Sequence, residues 1–220
     1  MSIPQQALPC STIVAITLTL ILLAATVLVS IAAFQDRRVF EALLFSPYAV
    51  QHRGQWYRTF THGFVHADTM HLVVNMFVLW SFGSSVEALY PLLSPLPGGV
   101  VFLVLYFGGM LFATIPGMAK HRHDPSYRSV GASGAVSAVL FAQIVMLPTQ
   151  KVSLYFIQEL PAWLFGALYL VYSYFMDKRG EDQVAHDAHF YGAVFGVLFT
   201  FVLHPPLLTD LGVLERSLGI

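Results

Sequence analysis

The sequence predicts an all-α, polytopic membrane protein with six transmembrane helices. Three observations carry that prediction. Of 220 residues, 56% are hydrophobic and only 10% charged, against about 25% charged in soluble domains, so too little charge is available to face water. Mean hydropathy is positive, and 18 Phe and 10 Tyr add to the apolar surface. Apolar runs of about 20 residues, the length a membrane helix needs, recur along the chain. The net charge of −1 excludes any general attraction to nucleic acid. The lipid bilayer is the expected surrounding.

The spans read as 13–34, 69–90, 98–118, 132–147, 154–176 and 188–204, in one domain covering 1–220. The first, Ile13 to Phe34, is uncharged, and Gln35-Asp36-Arg37-Arg38 ends it. It is too long for a cleaved signal and has no basic leader. Leu8-Pro9-Cys10-Ser11 has no apolar stretch before it and reads as an ordinary tail. Cys10 is the single cysteine, so no internal disulfide is available. Residues 35–68 form a wet segment with four arginines, Trp56 and Tyr57, a mixture suited to the membrane interface. Shorter connections are expected at 91–97, 119–130, 177–187 and a tight turn at 148–152.

The fourth and sixth spans begin late. Ser133 stands fifteen residues before Pro148, which closes its run. That is roughly 22 Å of helix, in a hydrocarbon layer of about 30 Å. His189 stands fifteen residues before His204-Pro205-Pro206. With one span between them the two helices run the same way, so a hydroxyl and an imidazole share one depth inside the membrane. Gly134 with Ala138, and Gly192 with Gly196, are small faces that let membrane helices approach closely.

A serine hydroxyl becomes a nucleophile when a base takes its proton, and His189 is that base. The developing oxyanion needs donors. His71 and Asn75 lie four residues apart on one face of the second span, and the backbone N–H of Ser133 opens a helix. No carboxylate stands as a third member; Asp187 reads as a loop residue or helix cap. A zinc protease would need a carboxylate beside its ligands, as in His-Glu-x-x-His. Here Gly63, Phe64 and Val65 follow His62, so neither a metal nor another cofactor is expected. His121 and His123, beside Lys120 and Arg122, read as solvated.

These residues resemble the rhomboid intramembrane serine proteases over most of the chain. Trp56-Tyr57-Arg58 through His62-Gly63-Phe64-Val65-His66 is similar to that family's first-loop signature, which implies supporting roles for Arg58 and His66. His71-x-x-x-Asn75 is similar to its second helix, and Gly83-x-x-x-Glu87 to the end of that helix, where the acid is structural. Gly131-Ala132-Ser133-Gly134 and Ala188-His189-Phe190-Tyr191-Gly192 are similar to the nucleophile and base motifs, with Gly131, Gly134, Gly192 and Gly196 supporting them. The resemblance implies a six-helix rhomboid-like bundle cleaving the transmembrane segments of other proteins, with the fifth span as a lateral gate. One position departs from it. Many bacterial members carry, three residues after that second glycine, a tyrosine stacked on the histidine; here it is Ser137, so the imidazole must be oriented from elsewhere, such as by another aromatic. The alternative is an inactive rhomboid-like protein that binds or escorts membrane helices, which would lack the serine or the histidine.

Nine of the eleven Lys and Arg residues fall on the face that carries the long loops. By the positive-inside rule that face is cytoplasmic. The resemblance implies instead a bacterial inner membrane with the active site opening to the extracytoplasmic side.

Overall fold

The computed structural model describes residues 17–154, 158–179 and 186–219. The tail around Cys10, the start of the first expected span and residues 180–185 lie outside them. Helix α1 (Leu18–Gln35) begins at Thr17, whose side chain accepts the Leu20 N–H, and ends at the extended Asp36. Its two faces decide what surrounds the protein. Thr19, Thr26 and Ser30 are fully buried, whereas Ile21 and Leu28 are 50% and 67% exposed. In water that arrangement would be reversed; in lipid, polar side chains are the ones that need protein partners. The chain is an integral membrane protein.

The wet segment folds onto the bundle as α2 (Arg37–Leu43), α3 (Pro47–Arg53), α4 (Arg58–Thr61) and a 3-10 turn at His62–Phe64. Both of the first two have explicit start signals, and α3 also has a stop signal. Asp36 caps α2, and Ser46, Pro47 and left-handed Gly54 bound α3, as helix ends prefer. Arg58 is nearly buried. It donates to the carbonyls of Glu41 (2.8 Å) and Leu44 (2.7 Å) and to the Gln55 side chain (2.6 Å), tying the C-terminal carbonyls of α2 to α4. Trp56 and Tyr57 stay exposed.

Helix α5 (Thr69–Leu93) is capped by Asp68, which accepts the His71 N–H. Near its other end Glu87 accepts the backbone N–H groups of Leu18 (3.0 Å) and Thr19 (3.1 Å) and the Thr19 hydroxyl (3.0 Å). A carboxylate thus answers the orphan donors at the α1 N-terminus. Gly83 makes room for this, because a Cβ there would lie 2.6 Å from Thr19 Cγ2. Replacing Glu87 with alanine leaves buried donors without partners. The expected loss is roughly 2–3 kcal/mol, read as a lowered unfolding midpoint in detergent.

Helices α6 (Gly98–Ala113) and α7 (Ile115–His121) step at Thr114, where Pro116 cannot continue the hydrogen-bond ladder. Helix α8 (Ser133–Met146) follows, then the antiparallel strands β1 (Lys151–Leu154) and β2 (Gln158–Pro161), α9 (Ala162–Arg179), α10 (His186–Leu203), a 3-10 turn at Pro205–Leu208, and α11 (Val213–Leu218). Every residue of α8 from Gly134 to Met146 is buried, with α5, α6, α9 and α10 around it. Enclosed by protein, its ends need not reach the lipid boundary, which is what permits so short a helix. Glu215 of α11 reaches the far end, accepting the Thr149 N–H at 2.7 Å.

Among the described residues, three helical stretches are long and apolar enough to cross a membrane by length and composition: Leu18–Gln35, Thr69–Leu93 and Gly98–His121. The apolar helices Ser133–Met146, Ala162–Val171 and Asp187–Leu203 are shorter. Two expectations need correction. The fold is not purely helical, and the fifth helix starts at Ala162, not at 154. The expected tight turn at 148–152 runs on into a hairpin, in which Lys151 pairs with Glu159 at 2.9 Å. Pro161 lacks an N–H and so suits the position before a helix, not a helix interior.

Candidate active site

The late helix starts are close neighbours in space. A Cβ on Gly192 would run into the Gly134 carbonyl, and one on Gly196 into that of Ala138. A Cβ on Gly134 would lie 3.6 Å from the Ala188 carbonyl and would strike Ala113 of α6. The residue after Ser133 therefore packs against the residue before His189. Small residues on α8 and α10 bring the first turns that carry Ser133 and His189 side by side. Asp187 accepts the Ala188 N–H (2.8 Å) and pairs with Lys120 (3.3 Å), so it serves the start of α10.

The loop before Ser133 is held from several sides. Phe45 and Ser129 form an antiparallel bridge, and the Gly131 N–H donates to the His62 carbonyl at 3.0 Å. Gly131 has φ +113, a conformation open to glycine. A Cβ there would sit 2.6 Å from His71 Cε1, so the imidazole of His71 lies directly over the loop. The Ala132 N–H donates to His66 Nε2 at 3.3 Å. Since Nε2 accepts, the ring proton is on Nδ1, which donates to Ser30 Oγ (2.9 Å); that hydroxyl donates in turn to the Phe64 carbonyl (2.9 Å). The fully buried His66 thus links α1 to the loop that delivers Ser133. Asn75 is buried, and its amide donates to the His71 carbonyl at 2.9 Å, leaving its second N–H for another acceptor.

Burial lowers the pKa of His62 from 6.5 to about 4, against the opposing effect of its bond to the Arg58 carbonyl. Burial also lowers His66 to about 3, with nearby His71 adding to the effect. Both rings are neutral in the fold yet protonate near 6.5 when unfolded. Their contribution to stability is complete above about pH 6.5 and is lost as pH falls toward 4 and then 3. Each accounts for up to about 1.4 kcal/mol per pH unit. Unfolding midpoints in detergent at pH 7, 5 and 4 are expected to fall in that order, and His66→Gln to flatten the trend.

Two contributors escaped sequence reading. Ser30 is a polar residue within a span, and such residues are costly enough to serve as a signal. Tyr169 of α9 stacks its ring on His189, with centroids 6.1 Å apart and planes at 23°. The serine at 137, where the resemblance implies a tyrosine, was its signal.

A helical membrane protein with a serine and a histidine in the first turns of adjoining helices, beside a folded loop, is the class these features define. A model of the Rhomboid domain matches residues 53–206, and the chain belongs to the Rhomboid family. It is similar to RHOMBOID-like protein 12, mitochondrial, of Arabidopsis thaliana, 29% identical over 66% of this chain and 46% of that protein. It is 32% identical to presenilin-associated rhomboid-like protein A, mitochondrial, of Danio rerio, over 62% of this chain and 34% of that one. With Rhomboid-related protein 1 of Caenorhabditis elegans it shares 28% identity over 71% and 42%. The matched stretch spans less than half of each relative. Two of the three carry mitochondrial names, and none of the names points to a bacterial inner membrane.

Proposed function

We propose that this chain is an intramembrane serine endopeptidase that cleaves transmembrane segments of other proteins through a Ser133–His189 dyad. The observation that carries the reading is the seam at Gly134, Ala188 and Gly192, which packs the two helix starts together. The scissile carbonyl must first leave its helical hydrogen bond, so the substrate unwinds locally. Ser133 Oγ attacks that carbonyl while His189 takes the hydroxyl proton. The oxyanion receives hydrogen bonds from the Ser133 N–H, His71 and the second N–H of Asn75. The C–N bond breaks, the amine leaves with the proton from His189, and the acyl group stays on Ser133. Water then attacks with His189 again as base, releasing the acid and restoring the serine.

Gly131, His66 and Arg58 serve this scheme by holding the loop and its surface layer, and Glu87 by seating α1. The six apolar helices act as six spans of one membrane domain covering 1–220. The site opens away from the cytoplasm, an orientation taken from the family resemblance against the charge count. A membrane-impermeant maleimide added outside intact cells should therefore label Arg122→Cys in a cysteine-free background; labelling only after lysis would reverse the orientation.

The test of the chemistry is fluorophosphonate labelling of the reconstituted chain, with cleavage of a labelled transmembrane substrate in parallel. Wild type is expected to label and cleave, and Ser133→Ala to do neither. Equal behaviour of the two would leave the alternative, a rhomboid-like protein that binds helices without cutting them.

A further inference from the structure

A histidine acting as base needs its ring held, because rotation about the bond to an imidazole is broad and only weakly restrained. One such restraint on His189 comes from a third helix. The Tyr169 ring lies in offset stacking on the imidazole, 6.1 Å between centroids at 23°, within the range where aromatic pairs attract. The tyrosine is itself held against α8. Its hydroxyl is 2.8 Å from Ser137 Oγ, on α8 one turn beyond Ser133, and its ring edge meets Phe141 another turn along, 5.7 Å away at 48°. Ser137 is only 3% exposed, so its hydroxyl is sheltered from competing water and costly to leave without a partner. A small side chain at 137 is what leaves room for Tyr169 to reach across.

We propose that Tyr169 is the positioning residue for His189, anchored by Ser137, so that the base is oriented from α9 and not from the helix of the nucleophile. The inference rests on the dyad reading above. It has a mechanical corollary: the dyad lies on α8 and α10, so the orientation of its base depends on α9 being seated against both. The opposite side of α9 presents Leu168 and Val171, each 53% exposed, toward lipid.

The experiment uses the full chain in proteoliposomes and compares wild type, Tyr169→Phe, Tyr169→Leu and Ser137→Ala. Two rates are measured between pH 5 and 9: fluorophosphonate labelling of Ser133, and carbethoxylation of His189 read by mass spectrometry on its peptide. Phenylalanine keeps the ring and should cost about 2–5-fold in labelling, as should Ser137→Ala, since only a hydroxyl link is lost. Leucine fills much the same space without a stacking face. It should cost about 10–100-fold, because small misplacements of a catalytic group have effects of that size. It should also shift the pH profile and speed carbethoxylation of His189. Unfolding midpoints are measured so that rates are compared where every variant is folded. Leucine within twofold of phenylalanine in both rates would overturn the proposal, as would an unchanged pH profile with unchanged carbethoxylation. Absence of fluorophosphonate labelling in wild type would overturn the dyad reading alone, and carbethoxylation would still report whether Tyr169 holds His189.

Discussion

His189→Ala is expected to lower the rate of transmembrane-substrate cleavage by roughly 10⁴–10⁶-fold, and adding Ser133→Ala to it should cost little more. Nucleophile and base act as one unit, so the loss of either removes the same step. What survives comes from oxyanion donors and binding, on the order of 10³-fold over water. Measured single-turnover rates for the two single variants and the double variant check this. Losses that multiplied in the double variant would mean that the two residues act separately, and the acyl-enzyme scheme would fall. His71→Ala should be milder, about 10²–10³-fold for one oxyanion donor, with its loss in kcat and not in KM.

The second large effect is structural. Gly192→Val is expected to destabilise the bundle by about 3 kcal/mol or more, at the upper end of overpacking. The added Cβ meets the Gly134 carbonyl, which is backbone and cannot rotate away. Helices α8 and α10 must therefore separate, carrying Ser133 from His189. A marked drop in unfolding midpoint with loss of labelling is the expected result. Gly192→Ala should show the same effect at smaller size. Wild-type stability of the valine variant would mean that the seam tolerates a shift this packing does not allow.

Much of this was legible in the chain because membrane sequences are constrained one residue at a time. An apolar run must hide its own backbone, so its length announces a helix. A polar residue inside it is costly, so Ser133, His189, His71 and Asn75 stood out against their surroundings. The small faces at Gly134, Ala138, Gly192 and Gly196 were readable for the related reason that close approach leaves no room for a side chain. The hairpin was less legible. Lys151–Leu154 and Gln158–Pro161 are short, and brief apolar stretches look alike whether strand or helix.

By itself, then, the sequence determined the membrane setting, the helix start at Ser133, the placing of His189 in the first turn of α10, and the small residues that let α8 and α10 meet. Each follows from local physics: a run's length, one polar atom, one missing Cβ. Only the tertiary structure decided which groups far apart in the chain share a bond. Glu87 caps α1, His66 joins Ser30 to Ala132, and Tyr169 lies against His189 with its hydroxyl on Ser137. A hydroxyl or ring can find a partner on any neighbouring helix, and no spacing along the chain says which helix will be beside it.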